Sequence, residues 1–194
     1  MGAETSSAWR VRESAVVISN LRTQGYTLAV AIFVIDQLVK WTMTGPLALR
    51  EAGQIVLLPI FSFTYTENNG VSLGLLSATN PTGRWLLVAL TAGIATGVAV
   101  WMTREKNRWD IVALGLVLGG ALGNIVDRVR FGYVVDFLDL HFGEFRPFMI
   151  FNVADAAITA GVVLLLARSL LLRDKPAKPA PDSAGDQPAP ETLH

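Results

Sequence analysis

Four apolar runs, at residues 26–43, 85–102, 111–126 and 156–172, constrain the fold of this chain more than any other feature. Long apolar stretches separated by charge-bearing segments are the pattern of membrane spans. Each run holds 16 to 18 residues. That is short of the roughly 20 that cross a hydrocarbon core, and flanking aromatics and snorkelling Lys or Arg side chains make up the difference. The first run is no cleavable leader, because it carries Asp36, Gln37 and Lys40 and no small-residue cleavage site follows Met43. The expected fold is an all-α membrane protein with four transmembrane helices.

Between the first and second runs, Phe61, Phe63 and Tyr65 alternate with Ser62, Thr64 and Thr66. A period of two is that of a half-buried strand, so a small extracytoplasmic β-rich segment is expected beside the bundle. Three stretches follow: a polar cytoplasmic N-terminal extension at 1–25, a four-helix membrane domain at 26–172, and a Pro- and Ala-rich tail at 173–194 expected to be disordered and cytoplasmic. Lys and Arg set the orientation. With both termini inside, the cytoplasmic parts hold ten basic residues and the outer parts six, and the turn 103–109 alone carries Arg104, Lys106 and Arg108.

Composition narrows the chemistry. Only 16% of residues are charged, against about 25% in a soluble domain. The formal net charge is zero, which gives no reason to expect a nucleic-acid partner. There is no cysteine, and the two histidines are His141 and His194. Thiol chemistry is excluded, and a histidine-based metal site or a Ser-His pair is not expected. Carboxylate, amide and hydroxyl groups remain, with no metal and no cofactor.

Polar groups at membrane depth are costly and ask for a reason. Asp36 and Lys40 are four apart on one helix face, acid first, and read either as a structural ion pair or as a pair that shapes a site. Asn124, Asp127 and Arg128 form an i, i+3, i+4 set at the end of the third run. Asp127 beside Arg128 reads as a support for that arginine and the following loop, with a direct catalytic role as the alternative. Asp136 lies in an apolar stretch, Tyr133-Val134-Val135-Asp136-Phe137-Leu138. Asp155 opens the fourth helix, with Asn152 placed as its N-cap. Four-span topology brings Asp136, Asp155, Asn68, Gly70, Asp36 and Lys40 to one side of the bilayer and to similar depth. Two carboxylates close together in a low-dielectric site share a proton, so that one activates water while the other protonates a peptide carbonyl and then its leaving amine. The alternative is that these acids only anchor loop hydrogen bonds. On the third run Gly115, Gly119 and Gly123 repeat every four residues, and Gly93 and Gly97 do so on the second; both patterns suggest close helix approach.

Five stretches together resemble the lipoprotein (type II) signal peptidases of bacteria. They are Asp36-Gln37-Leu38-Val39-Lys40-Trp41; Asn68-Asn69-Gly70-Val71-Ser72-Leu73-Gly74; Gly119 through Arg128; Gly132-Tyr133-Val134-Val135-Asp136-Phe137; and Phe151-Asn152-Val153-Ala154-Asp155-Ala156. The likeness runs from about residue 26 to 172, with the motifs in the family's order. It implies an aspartyl endopeptidase of the bacterial cytoplasmic membrane that acts near the outer face. The substrates implied are diacylglyceryl-modified prolipoproteins, cut just before the lipidated cysteine. It implies Asp136 and Asp155 as the catalytic pair. Asn68, Gly70, Asn124, Arg128 and Asn152 then hold substrate or order the dyad, and Asp36 and Lys40 support it. A monomer in contact with membrane lipid is expected. Leu73 departs from the family, which commonly has an aromatic there. The outer segment 44–84 is expected to cover a lateral opening to the site. A proton-coupled transporter fits less well, since its acids sit near the midplane; the Gly-x-Gly-Asp motif of presenilin-type proteases is absent. A non-catalytic membrane scaffold is the remaining alternative, and it would tolerate exchange of Asp136 for Asn.

Overall fold

The structure, a computed structural model, describes residues 3–70 and 81–171, with side chains from Asn20 onward. Leu73 and the tail from Asp174 lie outside the described residues. Five helices and three strands follow in the order α1 (Ala3–Thr44), α2 (Leu49–Ala52), β1 (Gln54–Leu58), β2 (Phe61–Asn68), α3 (Pro81–Arg104), α4 (Arg108–Arg130), β3 (Val134–Leu140) and α5 (Val153–Leu171). Four helical stretches are long and apolar enough to cross a membrane: Asn20–Thr44, Pro81–Arg104, Arg108–Arg130 and Val153–Leu171. The four expected spans are therefore present, each a few residues longer than its apolar core. The added turns are the polar and capping residues that a hydropathy reading trims. Asn107, for example, caps α4 by accepting from the Trp109 backbone N–H.

The helix of the first span does not start at residue 26. It runs unbroken from Ala3, because no proline interrupts that stretch. Gly25, within it, packs so closely that a Cβ there would meet Ile111 and Met102 at 2.6 Å.

Helix α4 is the central one. Its most apolar window is 56% buried, against 22% for α1 and 17% for α3 and α5. The other three helices pack around it, and Val30, Leu38, Leu90, Val163, Leu166 and Leu170 point outward, as lipid-facing side chains do. Close approach rests on glycine. A Cβ at Gly115 would meet the Gly25 carbonyl of α1, and one at Gly119 the Ala29 carbonyl. On the α5 side Gly120 lies against the Ala154 carbonyl and Gly161 against that of Ala113. The triplet on α4 thus packs as expected. Gly93 and Gly97 do not, since a Cβ on either would meet nothing within 4 Å. They face outward from α3, so spacing alone misidentified a packing face there.

The strands form one antiparallel sheet in the order β1-β2-β3, seated on one end of the bundle. Met43, Leu49, Val135 and Phe137 make the core beneath it, with Phe63 and Tyr65 packed against them. The aromatic alternation of β2 is real, but the other face of the strand is covered as well. Ser62 is fully buried and bonds His141 Nε2 at 3.0 Å, and Thr64 donates to Asp139 Oδ2 at 3.0 Å. Asp139 in turn pairs with Arg146 at 3.1 Å. Burial of this polar face is possible because its groups bond one another.

Candidate active site

The site forms where β3, the end of β2 and the start of α5 meet the ends of α1 and α4. Two local devices place its carboxylates. In the β2–β3 ladder Phe63 pairs with Leu138 and Thr66 with Asp136, so β2 spends one extra residue between them. Such a bulge turns the strand. Past it, Asn68 pairs with Val134 and stands diagonal to Asp136, within side-chain reach. Asn68 Nδ2 donates to Asp136 Oδ2 at 2.9 Å, and Asn68 Oδ1 accepts from Gly70 N at 2.9 Å. Gly70 has φ 94°, in the left-handed region that favours glycine, which permits this tight return.

The second device is the cap of α5. Asn152 Oδ1 accepts the Asp155 backbone N–H at 2.9 Å, and Asp155 Oδ2 accepts the Asn152 N–H at 3.3 Å. This is a reciprocal capping box with Asn and Asp as its members. It holds Asp155 against the helix N-terminus, where negative charge is favoured. Asp36 adds a further cap from a distant element, its Oδ1 accepting from Ala154 N at 3.0 Å.

Asn152 joins the two acids. Its Nδ2 donates to Asp136 Oδ1 at 2.6 Å while its own backbone and Oδ1 hold Asp155. Asn124 supports the same arrangement, donating to Asp155 Oδ1 at 2.8 Å and accepting from Asn152 Nδ2 at 3.2 Å. Behind these amides lies a buried ion cluster. Lys40 Nζ sits 2.8 Å from both Asp36 Oδ2 and Asp127 Oδ2, and it also donates to Asn124 Oδ1 at 3.3 Å. Desolvation of three charges is costly unless each is paired and bonded. Gln37 completes the set by donating to Asp127 Oδ1 at 3.0 Å and Asp36 Oδ2 at 3.2 Å.

One expectation is corrected in part. Asp127 supports the segment that follows α4, but no hydrogen bond or ion pair joins it to Arg128. Its oxygens serve Lys40, Gln37 and the backbone N–H of Val135, the last at 3.2 Å. Consecutive residues on a helix point about 100° apart, so neighbours in sequence do not face each other. Asp127 instead ties α4 to the strand that carries Asp136. Gln37 was not among the expected site residues, although its polarity within an apolar span was a usable signal. That Asp136 sits on a strand carried no sequence signal, because its apolar neighbours fit a helix end equally well.

Asp136 is almost wholly buried, and its pKa is raised from 3.8 to about 7. Burial is the main cause and the nearby Asp155 carboxylate the second; the amide donors and Lys40 only partly offset them. Beside Asp155 opens a largely apolar cavity of about 450 Å³, walled by Phe148, Met149, Phe151, Ala160 and Val163. The arrangement therefore combines a buried acid that keeps a proton near neutrality, a second carboxylate tied to it through Asn152, and an apolar recess alongside.

Comparison with known proteins places the chain in a family. Residues 28–171 match the family model described as signal peptidase (SPase) II. The chain is 57% identical over 162 residues to the lipoprotein signal peptidase of Sphingopyxis alaskensis, spanning 81% of this chain and 94% of that one. It is 54% identical over 159 residues to that of Rhizorhabdus wittichii, spanning 82% and 92%. A bacterial membrane enzyme solved by the in meso method at 1.9 Å resolution shares the fold with a TM-score of 0.66 at 30% identity, covering 79% of this chain and 95% of that one. The match takes in the greater part of the first membrane helix, the other three and the sheet between them, and the chain belongs to the signal peptidase II family.

Proposed function

We propose that Asp136 and Asp155 are the catalytic pair with which this membrane enzyme processes prolipoproteins, at the outer face of the cytoplasmic membrane. Family membership makes the chain an aspartic endopeptidase that removes signal peptides before a diacylglyceryl-modified cysteine. The observation that carries the assignment of residues is Asn152, bonded to both carboxylates at once. In this reading Asp136 holds the shared proton. Asp155 takes a proton from a water, which attacks the scissile carbonyl. Asp136 donates to the carbonyl oxygen, and the pair then delivers a proton to the departing amine. Asn68, Asn124 and Asn152 orient the two acids, and Gly70 lets the chain turn close to Asp136. Asp36, Lys40 and Asp127 hold α1, α4, β3 and α5 in register behind them, and Arg128 contacts substrate.

The test is cleavage of a lipid-modified precursor by purified protein. Asp136→Asn and Asp155→Asn are each expected to lose at least about 10³-fold in kcat while remaining folded, the scale of removing a group that acts in proton transfer. Full activity in either variant overturns the assignment. The proposal also has both termini cytoplasmic and a single chain sufficient for activity.

A further inference from the structure

A second, narrower opening flanks the site, and nothing above assigns it. Helices α3 and α5 each pack on α4 but have no extensive contact with each other. The gap between them is a cavity of about 160 Å³, floored by Val117, Ala121, Asn124 and Arg128 of α4, with Ile94 and Ile158 on its walls. The four floor residues follow at i, i+4, i+7 and i+11, so the floor is one face of α4. It runs roughly 16 Å along the helix at 1.5 Å per residue. Its upper end reaches Asn124, which bonds Asp155. A peptide helix about 10–12 Å across cannot enter so small a space, but a single hydrocarbon chain can lie along it.

The polar groups of this groove are almost all spent. Thr91, on the α3 wall, bonds back to the Leu87 and Val88 carbonyls of its own helix. Asn124 is engaged by Lys40, Asn152 and Asp155. Arg128 is different. Its Nε–H is buried and has no hydrogen-bond partner among the described residues, the only such side-chain atom among them. A buried donor left without an acceptor is costly, and a ligand that brings an acceptor to it removes that cost.

We propose that this α3–α5 groove holds one acyl chain of the substrate's lipidated cysteine, with the Arg128 Nε–H donating to the ester carbonyl of that chain. The inference rests on the dyad reading, because it takes the scissile bond to lie at Asp155, at the head of the groove. It makes Ile94, Val117, Ala121 and Ile158 determinants of acyl recognition, and Arg128 the group that distinguishes an ester-linked chain from a bare hydrocarbon. The larger cavity on the other flank of Asp155 is left for the peptide portion of the substrate.

The experiment compares precursors with long and short acyl chains, and with ester and ether linkages, using purified enzyme in lipid. Wild type is expected to favour the long-chain ester. Ala121→Phe fills the groove floor and is expected to lower the long-to-short ratio of kcat/KM by about tenfold or more, the usual scale of steric exclusion from an apolar pocket. Ile94→Trp narrows the mouth from a side chain that is 56% exposed, so it does not disturb packing, and the same fall is expected. Should Ala121→Phe lose all activity or fold poorly, Ile94→Trp decides. Arg128→Lys keeps the charge but lacks the Nε donor, and is expected to abolish the preference for ester over ether. An unchanged chain-length ratio in Ile94→Trp, or an unchanged linkage preference in Arg128→Lys, overturns the proposal. Asp136→Asn and Asp155→Asn run alongside: if they cleave every precursor normally, it is the dyad reading that has failed and not the groove alone.

Discussion

Asp136 accepts two amide hydrogen bonds and still keeps its proton near neutrality, because removal from water outweighs what those donors restore. If Asp136 is the proton donor proposed above, the rate is expected to fall on the alkaline side, with an apparent pKa near 7 in kcat/KM, as it gives up that proton. A pH–rate profile flat through pH 8 would contradict this. Stability follows the same group in the opposite sense to a salt-bridged acid. Its folded pKa of about 7 lies above the ordinary 3.8, so between those values the folded state binds more protons than the unfolded one. Its contribution to stability therefore falls as pH rises through that window. Thermal unfolding in detergent across pH 4–8 should show the decline in wild type and a shallower one in Asp136→Asn. Part of this site could be read from the chain. Asn152 before an apolar run is a cap by its position, and Asp155 in the first turn belongs to that cap. The partner of Asp127 could not be read, since Lys40 comes from a helix 87 residues earlier in the chain.

At the scale of elements, α4 works as a spacer with two smooth sides. Gly115 and Gly119 admit α1, and Gly120 admits α5, which sets how near Ala154, and with it Asp155, comes to Asn124. Gly120→Leu is expected to cost about 1–3 kcal/mol or more through overpacking and to lower activity, because it pushes the start of α5 away from the amides. Gly97→Ala is expected to be neutral, or stabilising by up to about 1 kcal/mol, because its helix position is open. Melting temperatures of the two variants, measured side by side, check the contrast; equal losses would show that the small-residue contacts are not what holds the bundle. The sequence pattern was identical in kind for α3 and α4. Only the partner helix makes a glycine a contact, and repeat spacing carries no information about which face is occupied.

For the whole molecule, the sheet end and the α3–α4 turn must lie on opposite sides of the bilayer if all four spans cross it. The density of Lys and Arg in the turn is what supports the proposed orientation, with that turn inside. Absence of native cysteine makes the orientation simple to test. A single cysteine in place of Val56, which is 65% exposed on β1, is expected to react with a membrane-impermeant maleimide in cells whose cytoplasmic membrane is intact. One in place of Lys106 is expected to react only after that membrane is permeabilised. The reverse pattern would put the carboxylate pair on the cytoplasmic side.

The chain by itself determined the number of the spans and their apolar cores, the strand at 61–66, the side of the bundle on which the acids gather and the cap of α5. These are local properties, written in hydropathy, in period and in residues a few positions apart. Tertiary structure decided the rest: that Asp136 lies on a strand beside a bulge, that Lys40 serves two carboxylates from different helices, that Gly120 rather than Gly97 is a contact, and that Arg128 keeps a buried donor unspent. Each of these depends on groups that folding brings together from far apart in sequence. Their energies are set by the burial and pairing that result, and neither exists until the helices have packed.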